Sequence, residues 1–151
     1  MKITRFMTKH VWTCRREDSL HRAAQLMWEH DLGGLPIVDD DERVVGMVTD
    51  RDLCMASYTQ SRALSEISVA SVMSRPVVTC HEDQDTEDVA QQMAAAQVRR
   101  IPIVSHDGKL RGIISLHDLA LAMLRGPEMS AVDVVETFAA VCERRRRLNA
   151  A

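Results

Sequence analysis

The sequence predicts a mixed α/β (α+β) fold in which two pseudo-symmetric βαββα repeats pack as one module, with a C-terminal helix added. Three observations carry this. Sliding the 151-residue chain by 66 positions lays Met7 on Met73, Val11 on Val77, Thr13 on Thr79, Pro36 on Pro102, Gly46 on Gly112 and Asp52 on Asp118 without a gap. Between 7 and 56, fifteen of the shifted pairs are identical, which marks a doubled architecture. Each copy also contains one helix-periodic stretch followed by two short strand-like runs. A single copy of this length buries too little surface to stand alone, so the two must share an interface.

The elements follow in order. A short extended piece opens each copy, "HVWTC" in the first and "PVVTC" in the second. The first helix carries Leu20, Ala23, Ala24 and Met27 at i, i+3, i+4 and i+7; its counterpart carries Val89, Ala90 and Met93, with Asp85 placed as an N-cap. Two strands come next, "LPIV" with "RVVGMVT" and "IPIV" with "KLRGIIS", joined by the turn sequences "DDDE" and "SHDGK". A second helix starts at Asp50 and at Leu116. The expected boundaries are 3–58 for the first repeat, 59–68 for a linker, 69–124 for the second repeat and 128–148 for an amphipathic C-terminal helix.

Composition narrows the function. Hydrophobic residues make 46% and charged residues 27%, which excludes a disordered chain. The formal net charge of −3 gives no overall field toward nucleic acid or an anionic membrane, so any anion site has to be local. The N-terminal residues contain no apolar run long enough for a signal peptide or a membrane span, and a cytoplasmic protein is expected. Cys14, Cys54, Cys80 and Cys142 show no CxxC pairing, so reduced packing thiols are the default.

The repeated "GMVTDRDL" and "GIISLHDL" carry the chemistry. Thr49 with Asp52, and Ser115 with Asp118, have the S/T-x-x-D spacing of a helix capping box. The same groups suit a nucleotide: a helix N-terminus favours phosphate, and an aspartate accepts hydrogen bonds from neighbouring hydroxyls such as those of a ribose. Arg51 lies inside the first box, His117 takes its place in the second, and Arg99 and Arg100 precede the "IPIV" strand, so four side chains are candidate phosphate cations. "GG" at 33 and 34 aligns with "RR" at 99 and 100, so the two clefts are not expected to be equal.

The order of these motifs, "GGLPIVDDDERVVGMVTDRDL" and "VRRIPIVSHDGKLRGIISLHDL" each following "VxTC" and a helix, resembles the tandem CBS-domain family, or Bateman module, over residues 3 to about 124. The resemblance implies a free-standing regulatory pair without catalytic function that binds adenosine-containing ligands such as AMP, ADP, ATP, NAD or S-adenosylmethionine, with no catalytic cofactor. It implies that Asp52 and Asp118 hold ribose and that Thr49 and Ser115 lie on the phosphate side. Base contacts are implied for Val11, Thr13, Leu35, Pro36 and Ile37, and for Val77, Thr79, Ile101, Pro102 and Ile103. It further implies a homodimer that signals to an effector protein.

Two other readings stay open on the residues alone. One is a structural or protein-interaction module whose boxes only cap helices; the other is a thiol or metal sensor in which the pseudo-twofold brings Cys14 and Cys80 together beside His10 or His81. In the tail, Ala131, Val134, Val135, Phe138, Val141 and Cys142 form one apolar stripe, Ser130 and Asp133 are placed to cap it, and "RRRR" at 144–147 complements its C-terminal dipole. That stripe docks either on its own module or on a second copy. No nucleophile elbow, P-loop or HExxH motif is present, and Ser115, His117 and Asp118 are too close in sequence to line up as a triad.

Overall fold

The computed structural model describes residues 2–125 and 130–143. The first repeat contains α1 (Leu20–Glu29), β1 (Gly34–Val38), β2 (Val44–Thr49) and α2 (Asp50–Gln60). The second contains β3 (Cys80–His81), α3 (Thr86–Ala96), β4 (Arg100–Val104), β5 (Leu110–Ser115) and α4 (Leu116–Arg125), and α5 (Ala131–Cys142) follows. The helix starts match the sequence expectation. Ser19 caps α1 by accepting the Arg22 N–H, and Asp85 occupies the N-cap of α3.

Each repeat pairs its two strands antiparallel, Gly34 against Thr49 in the first and Arg100 against Ser115 in the second. The opening extended piece is shorter than expected. It survives as a two-residue parallel strand, Cys80 against Ile103, in the second repeat, and as a lone bridge between Cys14 and Ile37 in the first. Both hairpin ends meet across the pseudo-twofold, where the Val44 N–H donates to the Gly108 carbonyl at 3.1 Å and the Leu110 N–H to the Glu42 carbonyl at 3.0 Å.

The repeats exchange the segments that lead into them. Ile3 and Phe6 pack with Cys80, Val89, Met93, Ile101 and Ile114 in the core of the second repeat, while Ile67, Val69 and Met73 pack with Leu20, Leu35, Ile37 and Val48 in the core of the first. Backbone pairing follows the exchange. Thr8 and Ile113 trade N–H···O bonds of 2.8 and 2.9 Å, and the Ser74 N–H donates to the Met47 carbonyl at 2.9 Å. Ile3 and Val69 are wholly buried, each contributing about 1.5–3 kcal/mol to a core outside its own repeat.

The close approach explains the repeated glycine. A Cβ at Gly46 would lie 2.8 Å from the Met73 sulfur, and one at Gly112 would lie 2.6 Å from the Met7 sulfur. The stretch expected as linker is partly structured: Leu64–Glu66 forms a 3-10 turn, and buried Ile67 accepts the Leu20 N–H on its carbonyl at 2.8 Å.

The tail helix corrects one expectation. Ser130 and Asp133 do form its capping box, and α5 packs on α3 and α4 of its own chain. The buried side, however, consists of Val134, Thr137 and Val141, while Ala131, Val135, Phe138 and Cys142 of the expected stripe are exposed, as is Val132. A 3.6-residue turn puts 134, 137 and 141 on one line and 132, 135 and 138 on another. The arginines at 144–147, and the expected helix ends at 128–129 and 144–148, lie outside the described residues.

Candidate functional site

Both S/T-x-x-D boxes form at strand-to-helix turns. In the first, the Thr49 N–H and the Thr49 hydroxyl both donate to Asp52 Oδ2 at 2.8 Å, and the Asp52 N–H donates back to Thr49 Oγ1 at 3.3 Å. In the second, the Ser115 N–H and hydroxyl donate to Asp118 Oδ2 at 2.7 and 2.6 Å, and the Asp118 N–H donates to Ser115 Oγ at 3.2 Å. The capping geometry is thus complete. It uses one carboxylate oxygen per box, and Oδ1 of Asp52 and of Asp118 accepts no hydrogen bond from the described residues.

The helix N-termini differ. At α2 the Asp50 N–H donates to the Gly33 carbonyl at 3.4 Å, the Arg51 N–H to Asp50 Oδ1 at 2.7 Å and the Asp52 N–H to Thr49. No N–H at that helix start is left for a phosphate, because the Asp50 side chain occupies the anion's place. At α4 the Leu116 N–H donates to the Arg99 carbonyl at 3.0 Å and the Asp118 N–H to Ser115, while Leu116, in the place of Asp50, supplies no acceptor. The His117 N–H has no acceptor among the described residues.

The expected cations are spread out. Arg51, Arg99 and the His117 side chain are exposed. Arg100 crosses the seam: its Nη1 donates to the Gly33 carbonyl at 3.4 Å, and a Cβ at Gly34 would lie 3.5 Å from Thr49 Cγ2 and 3.7 Å from Arg100 Cδ. An arginine of the second repeat therefore reaches the Gly33 carbonyl at the edge of the first repeat, and the paired glycines at 33 and 34 make room for it. Sequence alignment pairs GG with RR but gives no sign that one occupies the space of the other.

The expected base contacts divide into three groups. Leu35, Ile37, Ile101 and Ile103 have no exposed surface; their side chains fill the two cores and cannot reach a ligand without repacking. Pro36 and Pro102 lie between them in register with Met47 and Ile113, the residues that pair with the exchanged segments. Val77 and Thr79 are half-buried, while Val11 and Thr13 line a cleft of about 220 Å³. That cleft opens at the far ends of the strands, beside Val38 and Leu110, rather than at the boxes. A second groove of about 280 Å³ runs along α2 from Asp52 past Ala56 to Gln60, with Ser71 and Val72 on its other wall.

Burial weighs against the thiol sensor. Cys14 and Cys80 lie in separate cores, 1% and 0% exposed. Desolvation pushes their thiols up to about 11 and about 12, helped by the nearby Asp18 and Asp88 carboxylates. Burial thus disfavours, at both positions, the thiolate that redox or metal chemistry needs. Among the described residues no group of three or more His, Cys, Asp or Glu side chains could hold a metal ion, and no helix is long and apolar enough to cross a membrane.

Comparison with known proteins agrees with this geometry. The CBS domain profile matches residues 3–58 and again 69–125. Protein YlbB of Bacillus subtilis is 36% identical over 122 residues, covering 80% of this chain and 81% of its own. Protein MK0525 of Methanopyrus kandleri is 34% identical over 96 residues, 64% of this chain and 49% of its own, so the chain spans about half of that relative. Among solved structures, CBSX2 in complex with AMP superposes with a TM-score of 0.73 at 28% identity, covering 82% of this chain and 96% of that one. The CBS domain pair of MJ0100, in complex with 5'-methylthioadenosine and S-adenosyl-L-methionine, gives 0.72 at 26% identity, covering 85% of this chain and 98% of that one. Two family matches at the interval of the internal repeat, on a chain whose repeats close around each other, place this protein in the CBS-domain family.

Proposed function

We propose that this protein is a non-catalytic regulatory module that binds an adenosine-containing ligand at its Thr49–Asp52 and Ser115–Asp118 boxes and passes the occupancy to an effector protein. The observation that carries the reading is the unused carboxylate oxygen: each box satisfies its helix with Asp Oδ2 alone and keeps Oδ1 for an incoming hydroxyl. Ribose, with two adjacent hydroxyls, is the donor that such an oxygen suits. Structures of related CBS pairs holding AMP, 5'-methylthioadenosine and S-adenosylmethionine support the class of ligand.

The phosphate of a nucleotide is better served at the second box. The His117 N–H is open there, whereas Asp50 fills the matching place in the first. Arg100, which reaches across the seam to the Gly33 carbonyl, supplies the cation on the other side. Binding would act by population shift, favouring one packing of the repeats or of two copies in a homodimer, within the limit set by the ligand's differential affinity.

The test is a thermal-shift panel of AMP, ADP, ATP, NAD and S-adenosylmethionine at millimolar concentration on the parent protein and on a D52A/D118A double variant. Ligand at a hundred times its Kd adds about 2.7 kcal/mol of stability. A rise with one or two ligands that disappears in the variant supports the reading. A flat panel on folded protein favours the competing one, in which the completed boxes are helix caps and the module serves protein interaction alone.

A further inference from the structure

The cleft of about 220 Å³ at the hairpin end lies a strand's length from either box and is lined by three cations, Lys9, Arg15 and Arg111, against one carboxylate, Glu42. Its apolar floor includes Val38 and Leu110, and Thr13 places a hydroxyl in its wall that makes no hydrogen bond with the described residues. The cations come from both repeats: Lys9 and Arg15 from the first lead segment, Arg111 from β5.

Their existing partners leave donors free. Arg15 uses Nη1 on the Asp39 carbonyl, with the Asp40 carboxylate 3.7 Å away, and Arg111 stands 4.0 Å from Glu82 through Nε. Both guanidinium groups are about half exposed, where such ion pairs contribute little. Lys9 is exposed.

The fold does not require this charge. Shifted by 66, the same positions hold Arg75 for Lys9, His81 for Arg15, Gly108 for Glu42 and Val45 for Arg111, so the counterpart has one fixed cation where the cleft has three. We propose that this cleft is a second ligand site, taking a small phosphoryl anion of mono- or diphosphate size. A cleft of this volume has room for about seven waters, and two planar guanidinium forks with a flexible ammonium match an anion that presents several oxygens. Such an anion would tie Arg15 to Arg111 and so fasten the first lead segment to β5, beside the Thr8–Ile113 pairing.

The experiment is calorimetric titration with inorganic pyrophosphate at constant ionic strength, on the parent and on K9Q/R111Q, R100Q, R22Q and D52A/D118A variants, with folding of each followed by thermal melting. Arg15 is left intact because it also holds the Asp39 carbonyl. Binding that weakens at least tenfold in K9Q/R111Q, stays as in the parent in R22Q, and is still detected in R100Q and the box variant establishes the site. Binding abolished by R100Q and untouched by K9Q/R111Q puts the anion at the box end and overturns the proposal. Equal loss in R22Q reduces it to general charge attraction, and absence of binding to the folded parent removes it. The box variant also separates this proposal from the nucleotide reading, since each can fail while the other stands.

Discussion

Met7 and Gly112 meet across the two repeats, the methionine sulfur lying where a Cβ of residue 112 would have to be, at 2.6 Å, with the Thr8 carbonyl at 2.9 Å. Met73 and Gly46 repeat the contact at the pseudo-symmetric position, though there the three nearest atoms all belong to the Met73 side chain. The two glycines therefore differ in what an added methyl group would displace.

Gly112→Ala is expected to lose about 1–3 kcal/mol of stability, the range for overpacking, because a backbone carbonyl in a paired segment has to move. Gly46→Ala is expected to cost less, since a methionine side chain can turn aside. Urea unfolding of both variants checks the order; equal costs would contradict it.

Two of the four thiols are expected to react quickly with a thiol reagent at neutral pH, Cys54 and Cys142, which are exposed, while Cys14 and Cys80 wait for unfolding. The same burial makes stability sensitive to alkali. Both buried thiols have pKa values raised above the ordinary 9.0, so the native chain keeps protons that the unfolded chain releases. Their contribution is intact below pH 9 and falls as pH rises toward about 11 for Cys14 and about 12 for Cys80, by at most about 1.4 kcal/mol per pH unit for each. A C14A/C80A variant should show a shallower alkaline decline in unfolding free energy than the parent.

On α5, Val141→Ala is expected to destabilise by about 1–3 kcal/mol, because Val141 is 7% exposed in the core of the second repeat. Val135→Ser, at 65% exposure, should stay within about 0.5 kcal/mol. Thermal melting of the two variants tells whether the helix docks through the Val134–Thr137–Val141 side, and a reversed order would show that it docks the other way.

Asp118→Asn removes a charge but keeps an acceptor for the cap, whereas Asp118→Ala removes both. The alanine variant should lose about 0.5–2 kcal/mol and the asparagine variant less. Both should weaken an adenosine ligand if ribose sits on Oδ1. Ligand titration alongside melting separates the two roles, and a variant that melts lower yet binds normally would confine Asp118 to capping.

Much of this was legible in the residues. The gapless shift of 66 gave the doubling, helical periodicity located the helices, and S/T-x-x-D marked both boxes. The exchange was hidden because alignment pairs Ile3 with Val69 whichever core each one enters. The burial of Leu35, Ile37, Ile101 and Ile103 was hidden for another reason: a continuous apolar run such as "LPIV" has no alternation to show which side chains face inward. The Arg100 reach into the GG pocket could not be read either, since a long side chain's destination depends on what lies across a seam that only the fold creates.

The exchange of lead segments has a kinetic and evolutionary side. A repeat cut free of its partner would carry an unfilled slot where Ile3 or Val69 belongs and an apolar segment with nowhere to go, and its remedy would be to find another copy. Two separate chains would then assemble only as fast, and as completely, as their concentration allowed. Joined through residues 59–68, the halves meet at a local concentration fixed by the tether and independent of how much protein is present. The duplication thus turns what would be a dilution-sensitive dimer into a single chain that holds together however scarce it becomes.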